Sequence, residues 1–114
     1  MIELIDEYTV RETYKYLRSM PPMMDWGLPP AHKIIFQVDD DPEVMGSMHV
    51  EPLKLHLSTY HQETFNNLIR TLAHEMVHLK LYLDGKSNYD HHDKTFRKYM
   101  SRFNQIMGYD KREM

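Results

Sequence analysis

The chain has 114 residues, and 14 Lys and Arg against 17 Asp and Glu give a formal charge of −3. That length suits one compact domain spanning 1–114 and not two, while the charge excludes a basic nucleic-acid wrapper. Hydrophobic residues at 41% and charged residues at 27% exclude a disordered chain, and the lack of cysteine excludes disulfide frameworks, thiol catalysis and thiolate zinc sites. No stretch has the roughly 18–20 apolar residues of a membrane span, and the acidic start Met1-Ile2-Glu3-Leu4-Ile5-Asp6-Glu7 lacks the cationic head of a secretory signal. A soluble, cytoplasmic domain in a reducing compartment is expected.

In the first segment Val10, Tyr14 and Leu17, preceded by Ile2, Ile5 and Tyr8, predict a helix to about Arg18. Met20-Pro21-Pro22 stops it. The following loop to Pro30 carries Met23, Met24 and Trp26, and reads as a strap that packs onto the core. Lys33 to Val38 is rich in β-branched and aromatic residues and reads as a strand. Asp39-Asp40-Asp41-Pro42 lacks calcium-loop spacing and reads as a solvated hairpin connection. Strand character resumes from Val44 to Val50, with Gly46 a candidate bulge, and Leu53 to Ser58 alternates apolar and polar residues. A small antiparallel sheet of three strands is the expected product.

A long helix follows, with Thr59 and Gln62 as a capping-box start and Asp84-Gly85 as the stop. Phe65, Leu68, Ile69, Leu72, Met76, Leu79 and Leu83 form one apolar stripe along it. A polar loop from Gly85 to His91 leads to a last helix with Asp93 as N-cap and a stripe through Phe96, Tyr99, Met100, Phe103, Ile106 and Met107. The fold class is therefore α+β, a three-stranded sheet packed with an N-terminal, a long central and a C-terminal helix.

Chemistry concentrates in His74-Glu75-Met76-Val77-His78. Residues at i and i+4 share one helical face, so both imidazoles can reach a single ion, and Glu75 projects where it can take a proton from activated water. Neutral imidazole suits zinc. At about 100° per residue both histidines point away from the apolar stripe, onto a second surface that something must cover. Catalytic zinc wants a third protein ligand. His92, four positions before Phe96, is favoured, and His91, Asp90 and Asp93 are the other candidates.

These features, with His92-x-x-x-Phe96 and Tyr99-Met100-Ser101-Arg102-Phe103-Asn104 downstream and Met45-Gly46 and Leu55-His56-Leu57-Ser58 upstream, resemble the SprT-like metallopeptidase domain over roughly residues 30–107. The family usually flanks its third histidine with glycine, where this chain has His91 and Asp93. The resemblance implies a zincin-like peptidase fold with Zn2+ held by His74, His78 and His92 and with Glu75 as the base. It also implies a protein or peptide substrate, in some members protein crosslinked to DNA.

Tyr82, Tyr89 and Tyr99 are candidates for stabilising the oxyanion, and Asp84, Asp90 and Asp93 for orienting the imidazoles. Residues 1–79 carry 6 basic and 12 acidic side chains, whereas 80–114 carry 8 and 5. Within that tail Lys94, Arg97, Lys98 and Arg102 recur along one side of the last helix, as a solvated face or a weak DNA contact. A different class of function, a metal-containing adaptor or DNA-associated module without catalysis, has no use for Glu75.

Overall fold

The computed structural model describes residues 5–60, 62 and 64–112, so Ile2 of the predicted first stripe lies outside the described residues. Helix α1 spans Glu7–Arg18 and starts where Asp6 accepts from the Thr9 amide at 2.9 Å. Its Val10, Tyr14 and Leu17 are buried. Tyr14 donates to the Pro29 carbonyl at 2.6 Å and Arg18 Nε to that of Leu28 at 2.8 Å, tying down the segment after the prolines. That segment is a strap. Met23 and Leu28 are buried in it, and Trp26 meets Tyr99 edge to face with centroids 5.3 Å apart.

Three strands follow: β1, Ile35–Asp39; β2, Gly46–Val50; and β3, Leu53–Ser58. Their order is β1-β3-β2, with β3 antiparallel to β2 but parallel to β1. The sheet is mixed, which corrects the antiparallel expectation. The hairpin expected at Asp39–Pro42 is also absent, because β1 and β2 flank β3 rather than pair with one another. The chain reverses twice, once in the loop after Asp39 and once at Glu51-Pro52, so β3 runs in the direction of β1 when it slots in beside it. That loop folds back over β3. The Thr59 amide donates to the Asp39 carbonyl at 2.8 Å, the Ser58 amide to that of Met45 at 2.9 Å, and the Ser58 hydroxyl to that of Asp41 at 2.7 Å. Leu55 and Leu57 face the core, yet His56 and Ser58 are buried as well.

Gly46 makes no bulge; it pairs in register with Leu57. A Cβ there would lie 3.0 Å from Thr71 Cγ2 and 3.1 Å from both the His56 carbonyl oxygen and Leu57 Cδ2. Glycine is needed so that β2 can lie directly on the helix that follows.

Helix α2 spans Phe65–Leu83. Its N-cap is Thr64, whose hydroxyl accepts from the Asn67 amide at 3.1 Å, and not Thr59. Thr59 is occupied by its bonds to Asp39, and Gln62 merely closes a turn onto it. The predicted stop holds. Gly85 has φ +78°, the Lys86 amide returns to the Leu81 carbonyl and the Gly85 amide to that of Tyr82. Leu68, Leu72, Met76 and Leu79 are fully buried, whereas the stripe's ends, Phe65 and Leu83, are exposed. Helix α3, Lys94–Met107, is capped by Asp93 through the Phe96 amide at 3.1 Å, and it buries Phe96, Met100 and Phe103 while leaving Ile106 partly exposed. It packs against α2, where Phe96 meets the rings of His74 and His78. Ala73, Val77 and Leu81 of α2 are buried outside the predicted stripe, so the second surface that the histidine placement required is covered. Among the described residues, no helix is long and apolar enough to cross a membrane.

Candidate metal centre

One turn of α2 separates His74 from His78, and both imidazoles rise from the side of the helix that α3 covers. Phe96, the first buried residue of α3, lies against both rings, at 4.7 Å from His74 and 4.6 Å from His78. The same ring supports His92 at 4.7 Å. One phenyl group therefore forms the floor beneath three imidazoles. His92 sits just ahead of the N-cap of α3, and its Nε2 lies 3.0 Å from His74 Nε2 and 3.1 Å from His78 Nε2. The three ligand atoms lie within 4.8 Å of one another, close enough to hold a metal ion.

The donor chemistry fits a cation. His78 Nδ1 donates to the Tyr89 carbonyl at 2.8 Å, which fixes the tautomer and leaves a lone pair on Nε2. Burial, with the neighbouring His78 and His92 adding to it, pushes His74 down to about 4, so its ring stays neutral. Burial also lowers His78, against the opposing influence of its bond to Tyr89. A single proton could satisfy one of the two Nε2 contacts, not both. A tetrahedral ion with bonds of about 2.0–2.1 Å places adjacent nitrogens about 3.3–3.4 Å apart, so the two pairs that include His92 would need to part by about 0.3 Å to accept one.

Glu75 is 6% exposed, and burial lifts its carboxyl to about 7. It lines two adjoining clefts together with His74 and Gly46. The smaller, of about 280 Å³, also contains Ser47, Met48, His78, Tyr89, Asp90 and His92. The larger, of about 560 Å³, runs toward the start of α2 between Val44 and Met45 on one side and Asn67, Arg70 and Thr71 on the other. Strand β2 is an edge of the sheet, and its first three residues wall the smaller cleft.

The remaining predicted residues distribute differently. His91 is exposed, 3.7 Å from Asp90, and outside the cluster. Asp93 has φ −82°, an ordinary backbone angle, so glycine's freedom is not required after this histidine. Among the described residues, none of the three acids hydrogen-bonds to an imidazole. Asp84 pairs with Lys80 at 3.0 Å, Asp93 caps α3 and accepts from Asn88, and exposed Asp90 acts on His78 only through its charge. The backbone carbonyl of Tyr89 orients His78 instead, and side-chain pattern carries no signal for it. Tyr82 and Tyr89 pack on one another at 5.2 Å, and Tyr99 packs on Trp26; of the three, only Tyr89 reaches the smaller cleft. Lys94, Arg97, Lys98 and Arg102 are all exposed on α3, but Arg97 Nε turns back to the His92 carbonyl at 3.2 Å.

The SprT-like family matches residues 15–113, nearly the whole chain, and the chain belongs to that family. The family is in general a zincin-like metallopeptidase domain, associated with zinc, and the three converging histidines of this chain agree with that class. No curated protein matches the sequence.

Proposed function

We propose that the chain is a zinc-dependent metallopeptidase in which His74, His78 and His92 hold the ion and Glu75 is the general base. The observation that carries the reading is the convergence of three imidazole Nε2 atoms beside a buried carboxylate that lines the same cleft. When bound, zinc supplies the Lewis acidity that polarises a peptide carbonyl and makes water a competent nucleophile at neutral pH. Glu75 takes the proton from that water and passes it to the departing nitrogen. Phe96 lies against the rings of His74 and His78, and their burial favours the neutral form of both. The free edge of β2 can accept an extended peptide as an added strand, which lays a scissile bond across the mouth of the cleft.

Glu75→Gln tests the assignment. The variant keeps the size and neutral hydrogen bonding of a protonated carboxyl, so it should bind zinc while cleavage of protein substrates falls by about 10²–10⁴. Cleavage at the wild-type rate by zinc-loaded Glu75→Gln overturns the role of Glu75. Zinc-loaded wild type that cuts no protein points to an adaptor. We extend the reading to DNA-associated protein substrates, supported by the exposed row Lys94, Arg97, Lys98 and Arg102. Affinity for duplex DNA should then fall with salt by a log–log slope of about 0.9 per phosphate contact, and a salt-independent affinity removes that extension.

A further inference from the structure

The sequence pattern groups Arg97 with the other basic residues of α3, yet its exposed side chain also turns back along the surface to the loop before the helix. Its Nε donates to the carbonyl oxygen of His92 at 3.2 Å. That carbonyl has no helical partner for a definite reason. His92 precedes the N-cap, and the amide that would have reached back to it, that of Phe96, is taken by the Asp93 carboxylate at 3.1 Å. The next turn of α3 supplies the missing donor through a charged side chain, which makes a stronger bond than a neutral one.

The rest of the loop is held at other points. The His91 amide donates to the Asn88 carbonyl at 3.0 Å, Asn88 Nδ2 donates to Asp93, and the Tyr89 carbonyl accepts from His78. The peptide of His92 itself is fixed by Arg97, while its exposed imidazole has the Phe96 ring on one side and the two α2 histidines on another. We propose that Arg97 is a positioning residue for the third histidine, holding its backbone so that Nε2 stays directed at the point where His74 and His78 converge. The inference rests on the metal reading of the three histidines given above.

Charge gives the test its sign. Arg97 is a cation near the site of a dication, so its removal should strengthen metal binding if charge alone mattered. A positioning role requires the reverse. Outer partners that orient metal-binding histidines are commonly worth 10–100-fold in affinity. Zinc affinity should be measured by chelator competition for wild type, Arg97→Gln and Lys86→Gln. Lys86 is an exposed cation in the loop that follows α2, and its replacement removes the same charge.

Arg97→Gln should bind zinc about tenfold more weakly, while Lys86→Gln matches wild type or binds slightly more tightly. The metal-free unfolding midpoint of Arg97→Gln should match wild type, and the visible bands of its cobalt-loaded form should shift as the third nitrogen is held less well in place. Unchanged or tighter zinc binding in Arg97→Gln overturns the proposal. An equal loss in Lys86→Gln, or a matching loss of metal-free stability in Arg97→Gln, does the same. Failure of wild type to bind zinc at all refutes the metal reading itself, a result distinct from any of these.

Discussion

Gly46→Ala probes the contact that brings the edge strand onto the site helix. The new methyl would sit 3.0 Å from Thr71 Cγ2, 3.1 Å from the His56 carbonyl oxygen and 3.1 Å from Leu57 Cδ2. Two of these neighbours are side chains that can shift by a few tenths of an ångström, but the third is backbone in the centre of the sheet. Overpacking of this kind costs about 1–3 kcal/mol. Lower freedom in the unfolded chain returns about 0.4–1 kcal/mol, leaving a net loss of about 1–2 kcal/mol. A chain of this length has on the order of 6–17 kcal/mol of stability, so the variant should fold. Thr71→Ser removes the contacting methyl and keeps the hydroxyl that accepts from Gln62. In the double variant about 0.5–1 kcal/mol of the loss should return as a favourable coupling. Urea unfolding of the four proteins measures the cycle. Wild-type stability in Gly46→Ala, or strictly additive effects with Thr71→Ser, would show that the strand does not rest on the helix here. Because Gly46 and Glu75 border the same two clefts, the single variant should also lose catalytic efficiency, and the double should regain part of it.

Two further outcomes bear on the site and on the sheet. His92→Ala should lose stoichiometric zinc in metal analysis of the purified protein, whereas His91→Ala should retain it, since only the former ring joins the cluster; the opposite pattern would move the third ligand to His91. Asp39 accepts from His56 at 2.9 Å, and that bond, with others from the Asp41 amide and Gln37, holds its carboxyl below the usual range. A depressed folded-state pKa stabilises above the unfolded value near 3.8 and is lost as pH falls through the folded one. Acid unfolding of Asp39→Asn should therefore be less steep than that of wild type below about pH 4, and superimposable curves would show that the pair contributes nothing.

The parts of this molecule legible in sequence are those fixed within a few turns of one element. His74 and His78 need only helical spacing to share a face, and the stops at Pro21 and Gly85 are local backbone chemistry. His92 could be reached because the Phe96 stripe fixed the face of the last helix. Strand order was not legible: alternation says which residues of β3 face the core but not which neighbour lies on either edge. The capping pair at Thr59 and Gln62 was a sound local pattern overridden by tertiary bonds, since Thr59 is claimed by Asp39. Gly46 showed itself as special, but its purpose depends on Thr71, twenty-five positions away. The orienting groups were the hardest to foresee. The carbonyls of Tyr89 and His92 are common to every residue, so only the folded loop reveals that one aims a ring and the other receives Arg97.

Two of the nitrogen donors travel with α2, and the third belongs to the loop that enters α3. An ion seated among them would rivet the seam between those helices, and its retention would report on that seam rather than on either helix alone. Warming or solvent that eases the helices apart should thus release the ion while both remain wound, so inactivation would precede any loss of helical content.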